Sequence, residues 1–285
     1  MAAVAMVDEG LTLEREMEII QHKFGADDNT TEEDDLMADI GFMYDDCLEK
    51  VTCEFTYGST VNPASGAVEP RVSVLLSYVQ DEPGFVQSGH YVWPAAPALC
   101  AYMEENFDQL PRGNIVELGA GCGLAGLVFA QLDPSSTVIF TDHDPGVLKT
   151  IQHNVSKQAH RPQAVCHTQS LRWGPQGANE VEQIAAIQTS DDATSATQKT
   201  DLIVGTDVIY AREIVGLLFW TVDRLLKTTT GQFLMCSSFS YDEDTEREID
   251  VACAQYGLVR TIIIDTLASQ GTRTQLFVRQ AKETS

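Results

Sequence analysis

Asn114 to Gly126 reads NIVELGAGCGLAG. A short apolar strand ending in an acid, Glu117, runs directly into a loop with glycine at every second position, Gly119, Gly121 and Gly123. Absent side chains let a ligand approach such a backbone closely, and the helix that opens at Leu124 points its positive end at the same space. This pattern predicts a nucleoside site at the start of an α/β unit.

Two cofactor classes and one bland alternative remain open at this loop. Gly121, Gly123 and Gly126 satisfy the G-x-G-x-x-G register of NAD sites, and Asp142 lies about where a ribose-binding acid is expected. Glu117 favours the other class. A carboxylate on the strand side of the loop repels a pyrophosphate and suits a cationic ligand such as S-adenosylmethionine, which carries a sulfonium and an ammonium. The third reading is a tight strand-to-helix turn with no ligand.

Outward from the loop, strand, turn and helix repeat. Thr137 to Thr141 is a β-branched and aromatic run ending at Asp142, and Pro145 then starts a helix with Val147, Leu148, Ile151 and Val155 on one face. Asp144, next to the proline, is placed to cap that helix, which leaves Asp142 to accept from ribose hydroxyls. Ala164 to Thr168 reads as a third strand, followed by Trp173, whose indole either stacks on an adenine or fills the core. Asp201 to Thr206, DLIVGT, has the continuous apolar character of a central parallel strand. Beyond it, Asp207 and Tyr210 are expected at the carboxyl ends of the strands with Glu117 and Asp142, unless Asp207 only caps the helix Arg212 to Leu226.

Gly231 to Phe239, Leu258 to Ile264 and Thr274 to Arg279 read as strands, with a helix over Thr245 to Tyr256. The last two strands lack a helical pattern between them, so an antiparallel hairpin at the sheet edge is expected. A plain dinucleotide fold has no such hairpin. Pro175 to Thr200 is polar and repetitive and reads as a mobile insertion with a short helix near Val181 to Ile187.

The segments ELGAGCGLAG, TDHDPGVLKTIQHNV, LRWG, DLIVGTDVIY and the upstream HYVWPAAPALCAYM occur in this order over about Gly89 to Arg279. Together they resemble the seven-β-strand class I methyltransferases, in particular the methyltransferase-like family that modifies protein lysines. The resemblance implies an α/β, Rossmann-like seven-stranded, mostly parallel sheet with S-adenosylmethionine as cofactor. It assigns cofactor contacts to Trp93, Gly119, Ala120, Gly121, Asp142, Trp173 and Thr206, beside Glu117. It assigns acceptor guidance to Asp207 and Tyr210, the D-x-x-Y pair. Relatives usually carry an arginine after the fifth strand, where this chain has Ser237, Ser238, Phe239, Ser240 and Tyr241.

Domain organisation follows from the remaining composition. Residues 1–50 hold fifteen acids against Arg15, Lys23 and Lys50, which supplies half of the formal net charge of −24 and reads as an acidic tail, partly helical or disordered. Val51 to Tyr57 and Val72 to Val79 alternate as two strands around Asn62, Pro63, Ser65 and Gly66, giving a β-hairpin extension over 51–92, a lid or acceptor platform. Pro94 and Pro97 start a helix running to Phe107, and the methyltransferase-like domain occupies 93–285.

Bulk chemistry narrows the function classes. No stretch approaches about 18 apolar residues, and no basic region precedes an apolar run at the amino end, so neither a membrane span nor a signal peptide is expected. Seven scattered cysteines suggest reduced thiols and a cytoplasmic, or also nuclear, location. No metal motif is present, so no metal is expected. The acidity disfavours nucleic acid and favours a protein substrate with a basic or lysine-bearing surface. A monomer is expected. The competing class is a catalytically silent binding module that keeps the fold and holds a basic partner.

Overall fold

The computed structural model describes residues 50–62, 66–80, 85–158, 163–189 and 199–279. The acidic segment expected over 1–50 lies outside them but for Lys50, as do Pro63 and Ser65 of the expected hairpin turn.

Seven strands form one sheet. These are β5 (Asn114–Leu118), β6 (Thr137–Asp142), β7 (Val165–Ser170), β8 (Leu202–Thr206), β9 (Gln232–Ser237), β10 (Leu258–Asp265) and β11 (Arg273–Arg279), in the spatial order β10-β11-β9-β8-β5-β6-β7. The pairs β8–β9, β5–β8, β5–β6 and β6–β7 are parallel, while β11 runs antiparallel to both β9 and β10. The expected terminal hairpin is therefore present, with β11 inserted inside and β10 left as the edge.

Alternation along the strands explains why both faces are covered. Ile115, Val138, Phe140, Leu202 and Val204 face one buried cluster, whereas Val116, Ile139, Ile203, Phe233 and Met235 face the other. Strands buried on both faces need apolar residues at every position, which is the pattern that Asp201 to Thr206 displayed. Helices α1 (Ala95–Glu105), α2 (Leu124–Leu132) and α3 (Pro145–Lys157) cover the first face. On the second face lie α4 (Ala178–Thr189), α5 (Ile214–Leu225) and α6 (Glu243–Tyr256).

The short helix expected near Val181 to Ile187 is present as α4, longer than expected, and residues 190–198 of the same stretch lie outside the described residues. This helix is the crossover between β7 and β8, twelve residues long, and it seats Ile184, fully buried, with Val181 and Ile187 packed beside it. Spacing by three puts these residues on one stripe, and Asn179, Glu182 and Gln183 are exposed. Gln188 donates to Thr200 Oγ1 at 2.9 Å, tying the helix to the chain that enters β8.

The amino-terminal hairpin is also present. Strand β1 (Lys50–Tyr57) pairs antiparallel with β4 (Val72–Val79), and a small arm, β2 (Thr60–Val61) with β3 (Val68–Glu69), extends between them. Side-chain amides of α2 and α3 satisfy the other edge of β4 as a neighbouring strand would. Gln131 pairs with both backbone groups of Ser73, Gln158 with those of Leu75, and Asn154 with those of Ser77. Asn154 Nδ2 donates as well to Cys122 O, at 3.0 Å, which joins this hairpin to the glycine loop.

Placing Ile184 in the core has a measurable consequence. Ile184→Ala should destabilise the protein by about 2–5 kcal/mol in urea unfolding, as a buried truncation does. A loss within about 0.5 kcal/mol, normal for a surface position, would contradict the placement of Ile184 in the core.

Candidate active site

Parallel strands bring their carboxyl ends to one edge, and the order reverses between β5 and β8, the place where open α/β sheets bind ligands. The loop after β5 lies at this edge. Its course requires positive φ at Gly119, Gly121 and Gly123. At Gly121 a Cβ would also stand 3.1 Å from the carbonyl oxygen of Gly89, so the segment before Trp93 rests directly on the loop.

Four contacts from neighbouring elements hold the loop. The Ala120 amide donates to Thr141 O at 2.9 Å, and Thr141 Oγ1 donates to Glu117 O at 2.7 Å. Asp142 Oδ2 accepts from the Gly121 amide at 3.2 Å, and Glu117 Oε2 accepts from the Gly126 amide at 3.0 Å. Two carboxylates from adjacent strands thus hold the loop and the first turn of the helix that follows it. Gly126 is required for the second of them, because a Cβ there would sit 2.6 Å from Glu117 Oε2 and 2.4 Å from the Phe140 ring.

The two acids differ in character. Asp142, at the tip of β6, also accepts from the Asp144 amide at 3.1 Å and has His143 Nδ1 3.4 Å from its Oδ1. Its charge draws the His143 imidazole above its ordinary value. Asp144 caps α3 as expected, accepting from the amides of Gly146 and Val147. Glu117 departs from the expectation of an open strand-tip acid. It is only 2% exposed, and burial, reinforced by the Asp142 charge, pushes its carboxyl up to about 8 against the Gly126 hydrogen bond. Burial thus favours the protonated form of Glu117 at neutral pH.

Aromatic groups surround the loop. A Cβ on Gly119 would meet the Trp173 ring at 3.2 Å, so this indole lies against the loop while its other side joins the core of the α4 to α6 face. Trp173 thus packs against the core and borders the loop as well. Trp93 donates from Nε1 to Ser88 O at 3.1 Å and packs edge-on to Tyr91, with ring centroids 5.4 Å apart. Ser88 precedes Gly89, which brings Trp93 to the neighbourhood of Gly121.

On the β8 side, Thr206 ends the strand and Asp207 follows with φ of +52°. Asp207 does not cap α5. Its Oδ1 accepts from the Ser238 amide at 2.6 Å, and its Oδ2 accepts from Ser238 Oγ at 2.9 Å and the Ala95 amide at 3.4 Å. Burial raises its carboxyl above the ordinary range, and these donors oppose the rise. Tyr210 stands on the rim, 43% exposed, its hydroxyl raised by partial burial and by the Asp142 charge.

The structure therefore gathers Trp93, Glu117, Gly119, Ala120, Gly121, Asp142, Trp173, Thr206, Asp207 and Tyr210 at one end of the sheet. Sequence reasoning missed Gly89, His143 as a partner of Asp142, and the clasp of Ser238 on Asp207. The serine run after β9 was visible as a departure from the family pattern, but a contact across strands leaves no local signal.

Comparison with known proteins agrees with this geometry. A family model described as lysine methyltransferase matches residues 75–247. The protein-lysine methyltransferase METTL21E of Mus musculus is 31% identical over 149 residues, covering 50% of this chain and 53% of that protein. The protein N-lysine methyltransferase METTL21A of Danio rerio is 30% identical over 154 residues, covering 54% and 62%, and EEF1A lysine methyltransferase 3 of Xenopus tropicalis 32% over 145 residues, covering 50% and 55%. The chain spans about half the length of the curated relatives it matches. Since the family match extends over more than half of its residues, this chain belongs to the lysine methyltransferase family.

Proposed function

We propose that this protein transfers a methyl group from S-adenosylmethionine to a lysine side chain of a protein substrate. The observation that carries the reading is the pair of acids beside the glycine loop, Asp142 on the Gly121 amide within it and Glu117 on the Gly126 amide in the first turn of α2, at the topological switch of the sheet. These residues fit the cofactor. Glu117, its carboxyl held at about 8, gains its charge most readily beside a cation, which suits a sulfonium or ammonium better than the pyrophosphate of NAD, and the β11 insertion is foreign to a plain dinucleotide fold.

When bound, S-adenosylmethionine supplies an electrophilic methyl group on a sulfonium. The chain's own residues have three tasks. Asp142 would take the ribose hydroxyls, Trp173 would flank the adenosine, and the Trp93 side of the crevice would close over it. Tyr210 and Asp207 would orient the acceptor amine, which is cationic in water with a pKa of about 10.4 and must shed a proton to solvent before it attacks. Holding nucleophile and methyl in line can account for roughly 7–11 kcal/mol of acceleration, so positioning outweighs acid-base chemistry.

Relatives named as lysine methyltransferases of EEF1A and calmodulin support a protein acceptor. A net charge of −24 suits a basic patch on that partner. The described cysteines are all unpaired, which fits a reducing, cytoplasmic setting.

Radiolabel from S-adenosylmethionine should enter a protein band in a cell lysate, with mass spectrometry assigning it to lysine. Cofactor binding without any labelled band would instead favour a silent binding module, and calorimetry showing affinity for NAD alone would end the methyltransferase reading. Asp142→Ala should weaken S-adenosylmethionine by about 1.5–3 kcal/mol through lost charged hydrogen bonds, and unchanged affinity would remove Asp142 from the ribose.

Glu117 gives a further prediction whose sign follows from its raised carboxyl. A group held at about 8 is protonated at pH 7, and an approaching cation favours its ionised form. Binding of S-adenosylmethionine should therefore release protons at pH 7, and affinity should rise as pH approaches 8. Calorimetry in buffers of different ionisation enthalpy reads this directly. Glu117→Gln should abolish the release, and the same proton count in both proteins would contradict the assignment.

A further inference from the structure

We propose that Ser238 is a positioning residue, whose amide and hydroxyl hold the Asp207 carboxylate in one orientation for the acceptor amine. The inference rests on the transfer reading above and adds a residue that the acceptor itself does not need to touch.

Three observations support it. First, both Ser238 donors go to the same carboxylate, the amide to Oδ1 at 2.6 Å and Oγ to Oδ2 at 2.9 Å, a two-point grip that fixes the rotation of the group. The Ala95 amide supplies a third, longer contact to Oδ2 at 3.4 Å. A carboxylate has about four acceptor sites, so roughly one remains for an incoming amine on the half-buried Asp207.

Second, the Asp207 backbone is left-handed, with φ of +52°, and Asp207 is the one non-glycine residue among those described with positive φ. Such a conformation costs energy and persists where its surroundings over-determine it. Here the Asp207 amide donates to Cys236 O at 2.9 Å, two residues before Ser238, so the end of β9 grips both the backbone and the side chain of this residue.

Third, among the described residues no charged side chain bonds Asp207. The titratable groups facing Asp207 are Cys236 on β9, a buried thiol pushed up to about 11, and Tyr241 in the following loop, whose hydroxyl burial also raises. Both stay neutral across the physiological range. Among the described residues, the hydrogen bonds from Ser238 and Ala95 are what favour the ionised carboxylate against burial.

The test compares wild-type protein with Ser238→Ala, which keeps the amide and loses the hydroxyl, and with Ser238→Thr, which keeps both. Carbon-13 labelling of aspartate carboxyls, with Asp207→Asn to assign the resonance, follows the titration of Asp207 by NMR. Its midpoint should rise by about one pH unit in Ser238→Ala and return in Ser238→Thr. Labelling of the acceptor band from radioactive S-adenosylmethionine should slow about tenfold in Ser238→Ala, with cofactor affinity by calorimetry unchanged, and recover in Ser238→Thr. An unmoved midpoint, or a cofactor affinity that falls in step with the rate, would overturn the role. Absence of a labelled band with wild-type protein would count against the transfer reading alone, because the carboxyl titration needs no acceptor and still decides Ser238.

Discussion

The glycine loop after β5 has only the side chains of Ala120 and Cys122 with which to hold its shape, so its geometry depends largely on hydrogen bonds from neighbouring elements. Glu117 reaches the Gly126 amide, Asp142 the Gly121 amide, and Asn154 the Cys122 carbonyl. Each comes from a different element, and each is buried or nearly so. A preorganised loop meets a ligand without first losing conformational entropy, which is where much of the cost of binding otherwise arises. The same clamps explain two sequence constraints. Gly126 must lack a Cβ because Glu117 and Phe140 occupy that space, and Gly121 must lack one because Gly89 lies against it.

Asn154 carries the constraint further. Its amide completes the edge of β4 at Ser77 and the loop at Cys122 in one side chain, so hairpin and loop share a buried anchor. On the opposite side of the crevice, Asp207 links the end of β9 to the start of α1, one residue beyond Pro94. The crevice is therefore bordered by polar contacts among backbone segments rather than by flexible surface side chains. Its electrostatics are also gentler than the formal charges suggest, since burial keeps Glu117 protonated until a cation arrives.

Much of this arrangement was legible in the sequence because periodicity and punctuation report local structure. The strand and helix that flank NIVELGAGCGLAG, the Asp144 cap ahead of Pro145, and the terminal hairpin all follow from patterns a few residues long. Where reasoning fell short, the deciding contacts were distant in the chain. Helix α4 reads as shorter than it is because only Val181, Ile184 and Ile187 face the core, and three apolar residues are a faint stripe. Glu117 reads as an open acid because nothing in its own strand reveals that α2 covers it. Ser238 lies 31 residues from Asp207, and no local pattern pairs them. Insertion of β11 between β9 and β10 is likewise a matter of topology rather than of composition.

The central claim is that the loop held by Glu117, Asp142 and Asn154 is a socket for a cationic nucleoside. A crystal structure grown with S-adenosylhomocysteine, the product that shares the nucleoside, tests it most directly. The account predicts density along Gly119 to Gly121, with both ribose hydroxyls on the Asp142 carboxylate and the adenosine beside Trp173. Density for the nucleoside at another edge of the sheet, with Asp142 still bound only to the Gly121 and Asp144 amides, would contradict it.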